Sequence, residues 1–194
     1  RLAEANMVAK DKSAAAQSLR RALEIKPDHL DAQLGLIRLA IDAKNYSDAT
    51  TVARSVQKQR PKESVGYQFE GDIAAAQKKF DVAADAYRVG LKQAAFPELA
   101  IKLVSVLKAG GKAADAEKFA TGWLRDNPKD PAMRMYLAQE AMTTKDMAGA
   151  EKLYQAVVQI QPNNAIAYNN LAWVAGQLKK DGAIDYAEKA LELV

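Results

Sequence analysis

The prolines of this chain fall on a period. Pro27 and Pro61 stand 34 positions apart, as do Pro128 and Pro162, and Pro61 and Pro128 stand 67 positions apart. Each closes a segment with the same residue pattern. A repeat of this size describes a supersecondary unit that cannot bury its apolar face alone and becomes a protein only by stacking on its neighbours.

The register holds when counted backwards from each proline. Twelve residues before it stands a small residue, Ala15, Ala49, Ala116 or Ala150, with Ala83 and Ala183 filling the slot in the two units that lack a closing proline. Eight before it stand Leu19, Ala53, Ala120 and Tyr154, and five before it Ala22, Val56, Trp123 and Val157. An apolar pair recurs in the first half of the units, as Leu36-Ile37, Leu103-Val104, Leu137-Ala138 and Leu171-Ala172, with Leu2-Ala3 as a remnant. Between the halves lie turn residues, Lys44-Asn45, Lys78-Lys79, Gly110-Gly111 and Lys145-Asp146. Each unit is therefore predicted to be two helices, A and B. The small residue lets helix B approach helix A closely, where a larger group would wedge the pair apart. The proline ends helix B, because it has no N–H to donate and turns the preceding residue away from helical angles. Asp130 and Asn164 are placed to cap the following A helices, and Ser47 and Asp81 to cap B helices.

This pattern resembles the tetratricopeptide repeat, in which helix A carries large aromatics and helix B carries alanines and a closing proline. The spacing holds along the whole chain. The helix A aromatics are retained at Tyr67 and Tyr168, while Gln33, Ala100 and Arg134 occupy the same slot elsewhere. The resemblance implies one all-α array of tandem helix-turn-helix units stacked as a right-handed superhelical solenoid. Its units run from 1 to 27 (partial), 28 to 61, 62 to 95, 96 to 128, 129 to 162 and 163 to 194. The register drifts by one residue around Ala95 to Pro97, and the last unit is expected to lose one near Gly182. A start at Arg1 and the lack of a polar capping helix before Val194 give the expectation of a fragment of a longer chain.

Catalytic chemistry finds few candidates. Without cysteine there is no disulfide, thiolate metal site or cysteine nucleophile. The sole histidine, His29, follows Pro27-Asp28 at a helix start, where capping or solvation explains it better than general-base work. Gly110-Gly111-Lys112 lacks the first glycine and the Ser or Thr of a phosphate loop, and a turn accounts for it. The carboxylates Asp28 with Asp31, and Asp126 with Asp130, are expected at helix starts, where the helix dipole favours them. The 28 basic and 24 acidic residues are interspersed and leave a formal charge of only +4, without the basic stripe of a nucleic-acid surface. No apolar run approaches the ~20 residues that span a bilayer. No catalytic residue, metal or cofactor is predicted, nor any membrane contact by the chain itself.

What remains is a surface. By analogy with the repeat family, the concave groove is built mainly from helix A. The resemblance assigns to it Arg38, Phe69, Lys102, Met135, Tyr136, Gln139, Asn169, Asn170 and Trp173. Phe69, Tyr136 and Trp173 are predicted as anchors for a protein or peptide segment, since large rigid side chains supply most contact energy. Packing against the next helix is the competing expectation for each. Gln139, Asn169 and Asn170 would pair with the ligand backbone, because amides both donate and accept. The carboxylate clamp of some family members is absent, since its slots hold Leu34 with Arg38, Gln68 with Asp72, and Ile101 with Ser105.

The sequence around Pro162-Asn163-Asn164-Ala165, Tyr168-Asn169-Asn170-Leu171-Ala172-Trp173 and Ala187-Glu188-Lys189-Ala190-Leu191 is similar to the last repeats of bacterial repeat lipoproteins of the PEP-CTERM exosortase and exopolysaccharide system. That similarity implies a non-catalytic scaffold in the envelope, periplasmic or held by a lipid anchor on the full-length chain, with the cytoplasm as the alternative compartment. The alternative function is a regulatory or accessory domain of a larger enzyme, such as a glycosyltransferase or peptidase.

Overall fold

Helices begin and end where local chemistry tells them to. The computed structural model describes residues 12–194, and among these it is all helix and turn, with eleven α-helices and no strand. The remnant expected at Leu2-Ala3 lies outside the described residues. In chain order the helices are α1 (Lys12–Ile25), α2 (Leu30–Asp42), α3 (Tyr46–Gln59), α4 (Val65–Ala76), α5 (Phe80–Gln93), α6 (Pro97–Ala109), α7 (Ala113–Asp126), α8 (Pro131–Thr143), α9 (Met147–Ile160), α10 (Ala165–Gln177) and α11 (Ala183–Glu192). Pro27, Pro61, Pro128 and Pro162 each follow a B helix, and Pro97 and Pro131 open A helices, where a missing N–H costs nothing.

The turns between A and B helices repeat one device. Lys44, Lys78, Gly111 and Lys145 sit in the left-handed region, with φ of 56°, 59°, 77° and 64°. Each reverses the chain after helix A, a position that glycine takes without strain and lysine takes at some cost. The Gly110-Gly111 pair is thus a helix-terminating turn.

Capping divides into expected and unexpected cases. The Asp130 carboxylate accepts the Ala132 and Met133 N–H groups at 2.8 and 3.3 Å, and Asn164 accepts that of Ala167 at 2.9 Å. His29 caps α2 through Nδ1, which accepts the Ala32 N–H at 3.4 Å. Ser47 and Asp81, in contrast, fall inside the first turns of α3 and α5. The N-cap of α3 is Asn45, which accepts the Asp48 N–H, and that of α5 is Lys79, which offers no side-chain cap. Asp81 instead pairs with Lys112 at 2.7 Å. Asp126 closes α7 rather than opening a helix, and pairs with Arg125, which holds its carboxyl below the usual carboxylate range.

The chain divides into two compact units, one ending at Ala116 and the other running Glu117–Val194. In the first, each helix from α1 to α5 packs on its successor, and α2 also touches α4. Its core joins Ile37 of α2, Ala49, Ala53 and Val56 of α3, and Phe69 and Ile73 of α4. In the second, α8 to α11 pack in succession around Ala138, Ala150, Tyr154, Val157, Ala167, Leu171 and Val174. The small-residue slot is fully buried at Ala15, Ala49, Ala83, Ala116 and Ala150.

The last hairpin departs from the pattern. Its turn runs from residue 178 to 182, two residues longer than the others, so it gains residues near Gly182 where a loss was expected. Gly182, at φ 90°, then becomes the N-cap of α11, and Ala183 is its half-buried first residue. Counted from the cap, Tyr186 takes the small-residue slot, where its ring packs against Tyr168 with centroids 6.4 Å apart.

Candidate functional site

The A helices α2 and α4 of the first unit, with Lys102 of α6, enclose a depression of about 340 Å³. Leu34, Ile41 and Val65 form apolar walls, and Arg38 lies exposed at its rim. Phe69, expected as an anchor, is 3% exposed and belongs to the core. It is the floor of the depression and cannot reach out to a ligand, because its α4 position turns the ring toward α3 and α2.

Beside that floor is a polar cluster that the sequence did not disclose. Asp72 Oδ1 accepts the Tyr87 hydroxyl at 2.7 Å and the Lys102 ammonium at 2.6 Å. Tyr87 comes from the B helix α5 and passes over Gly71, where an added Cβ would lie 2.2 Å from the ring. Burial, reinforced by the adjacent Asp72 charge and its hydrogen bond, pushes the Tyr87 phenol far above its usual range. The tyrosine is therefore a permanent donor that fixes Asp72.

The second unit presents a different face. On α10, Ile166 is 67% and Trp173 47% exposed, with Asn169 exposed between them at helical spacing. Asn170, half-buried, donates to the Tyr154 hydroxyl at 3.2 Å, and that hydroxyl contacts Met142 Sδ at 3.3 Å. Burial raises the Tyr154 phenol, and the Asn170 bond partly offsets it. On α8, Gln139 is exposed, Tyr136 is half-buried, and Met135 is half-buried against the core. The structure thus gathers Arg38, Phe69 and Lys102 around one depression. It places Asn169, Asn170 and Trp173 together on α10, and Met135, Tyr136 and Gln139 together on α8.

Two contacts were legible only in part. Trp123, read as a helix B residue, donates its indole N–H to Asp130 at 2.6 Å, so the cap of α8 is also tied to α7. Glu151, 8% exposed, is neutralised by Lys180 at 2.6 Å across 29 residues of sequence. No group of acidic, histidine or cysteine residues among the described residues could hold a metal ion, and none of the described helices is long and apolar enough to cross a membrane.

Residues 9–69 and 101–165 match two family models, each described as tetratricopeptide repeat. The chain belongs to the tetratricopeptide repeat family. Solved repeat proteins share its fold. The PilF protein of Pseudomonas aeruginosa aligns at TM-score 0.59 and 20% identity, over 99% of this chain and 87% of that one. A tetratricopeptide repeat protein from Parabacteroides merdae aligns at 0.54 and 15%, over 98% and 76%. YrrB, described as having an unusual peptide-binding site, aligns at 0.51 and 16%, over 92% and 93%. No curated protein matches the sequence. Tetratricopeptide repeats are scaffolds for protein interaction, generally non-catalytic, and their partners are proteins or peptides.

Proposed function

We propose that this tetratricopeptide repeat protein is a non-catalytic scaffold that binds a segment of another protein on its A-helix faces. The observation that carries this reading is the α10 face, where Trp173 and Ile166 stand in solvent beside the exposed amide of Asn169. An exposed indole at the centre of such a face is a reserve of binding energy. Covering the accessible half of a tryptophan, on the order of 100 Å², is worth ~2–3 kcal/mol. The amides suit an extended backbone, which offers both donors and acceptors. The peptide-binding site described for YrrB, a protein of similar fold, supports the same ligand class. The interspersed charge favours a protein over a nucleic acid.

For the setting, the resemblance of residues 162–191 to envelope lipoprotein repeats favours polysaccharide assembly or protein sorting at a bacterial envelope. That context rests on the resemblance alone. A lipid-attachment cysteine ahead of the repeats in the full-length gene product would support it, and a fused catalytic domain would replace it with the accessory-domain reading.

Selection of a displayed library of randomised peptides on the purified chain tests the binding role. The selected peptides are expected to lose at least ~2 kcal/mol of affinity when Trp173 or Tyr136 is replaced by alanine. If both variants retain full affinity and substitutions at Val82 and Val89, exposed on the B helix α5, abolish it, the groove assignment is wrong.

A further inference from the structure

Four charged side chains line the depression of the first unit, and two of them, Asp31 and Arg38, have no ion-pair partner among the described residues. Asp72 is engaged by Lys102 at 2.6 Å and by the Tyr87 hydroxyl at 2.7 Å. Asp42, one turn beyond Arg38 on α2, is engaged by Lys12 at 2.8 Å. Asp31 also lines the depression, two turns before Arg38 on α2, and at ~10 Å along the axis it lies a full Debye length from the guanidinium in physiological salt. The Arg38 guanidinium makes no ion pair with any described residue and stands exposed at the rim. Next to it Leu34, Ile41 and Val65 wall a space of about 340 Å³ above the buried ring of Phe69. That volume lies at the small end of the ~300–1,000 Å³ of ligand pockets, enough for one side chain and its backbone but not for a helix.

We propose that this depression is a specificity pocket for an apolar side chain of the partner segment, with an Asp or Glu beside that residue paired to Arg38. The inference rests on the scaffold reading above. The carboxylate is chosen by complementarity to Arg38, which Asp31, ~10 Å away along α2, does not neutralise, while Asp72 and Lys102 pair with each other. An exposed ion pair adds little affinity, so the apolar residue sets the strength of binding and Arg38 sets the choice of neighbour. The planar guanidinium can take such a carboxylate with two parallel bonds.

The test compares peptides selected from one randomised library on the native chain and on Arg38→Glu. Arg38 is exposed, so the substitution leaves the fold intact, which circular dichroism checks. The native chain is expected to enrich an apolar residue next to Asp or Glu, and the variant an apolar residue next to Lys or Arg. A synthetic peptide of the native consensus should bind Arg38→Glu about tenfold more weakly, a difference that shrinks with added salt. Binders without the acidic preference, or with affinities indifferent to Arg38→Glu, would overturn the pocket and leave the scaffold reading standing. A library that yields no binder would overturn both.

Discussion

One tyrosine occurs twice in the same register, 67 residues apart, and its surroundings show how one framework yields two chemistries. Tyr87 of the first unit and Tyr154 of the second both reach from a B helix to the A-helix face. Tyr87 meets the Asp72–Lys102 ion pair, whereas Tyr154 meets Met142 and Asn170. Lys102 and Asn170 occupy equivalent slots, as do Asp72 and Gln139. The first face therefore has a charged, latched floor below a pocket, and the second an uncharged one beside an exposed indole. The backbone plan is common to both, so the difference lies in the few side chains at those slots.

The largest effect separates the two sides of one helix. Leu171 is fully buried in the second core while Trp173, two residues on, faces solvent. Leu171→Ala is expected to cost about 2–5 kcal/mol of stability through transfer and cavity losses. Trp173→Ala should cost within ~0.5 kcal/mol, as a surface change does, and act on peptide binding instead. Urea unfolding of both variants checks this. Comparable losses would mean that the indole is part of the core and the α10 face is not free.

In the first unit the latch itself is the next target. Removing the Asp72 carboxylate orphans a buried hydroxyl and frees Lys102, and Asp72→Ala is expected to cost about 1–3 kcal/mol. Gly71→Ala should cost a similar ~1–3 kcal/mol, because the added methyl displaces the Tyr87 ring. The second unit has Ala138 at the same slot, buried against Tyr154, so Ala138→Gly tests whether the two tyrosines are seated differently. If Gly71→Ala leaves the thermal midpoint unchanged, the tyrosine has room to move and the latch is not held by close packing.

Local rules carried most of the fold. The five fully buried alanines, the capping residues Asp130 and Asn164, and the turn lysines are all specified within a few residues of sequence. The errors came where a slot was transferred without its neighbours. Ser47 and Asp81 are good capping types, yet the cap lies two residues upstream of each, at Asn45 and Lys79. Ala183 was matched by residue type, while the longer turn up to Gly182 puts Tyr186 in that slot. A slot on the groove side did not reveal that the Phe69 ring turns inward. The Asp72 cluster joins residues 15 and 30 positions apart on three helices, a coincidence that no short window displays.

The smallest effect appears only in alkali and bears most directly on the two tyrosines. In the unfolded chain each phenol ionises near its ordinary value of about 10, whereas in the fold both are raised. Below pH 10 both states keep the proton and the contribution to stability is complete. Above it the unfolded chain releases a proton that the folded chain retains, so unfolding becomes more favourable and stability falls as pH rises toward the folded value. Tyr87 faces the Asp72 carboxylate, which opposes ionisation further, while Tyr154 receives a hydrogen bond from Asn170 that eases it. Tyr87→Phe should thus flatten the decline in urea midpoint between about pH 9 and 11 more than Tyr154→Phe does. Equal flattening, or the reverse order, would show that the Asp72 charge is not felt at Tyr87 and that the two floors are electrostatically alike.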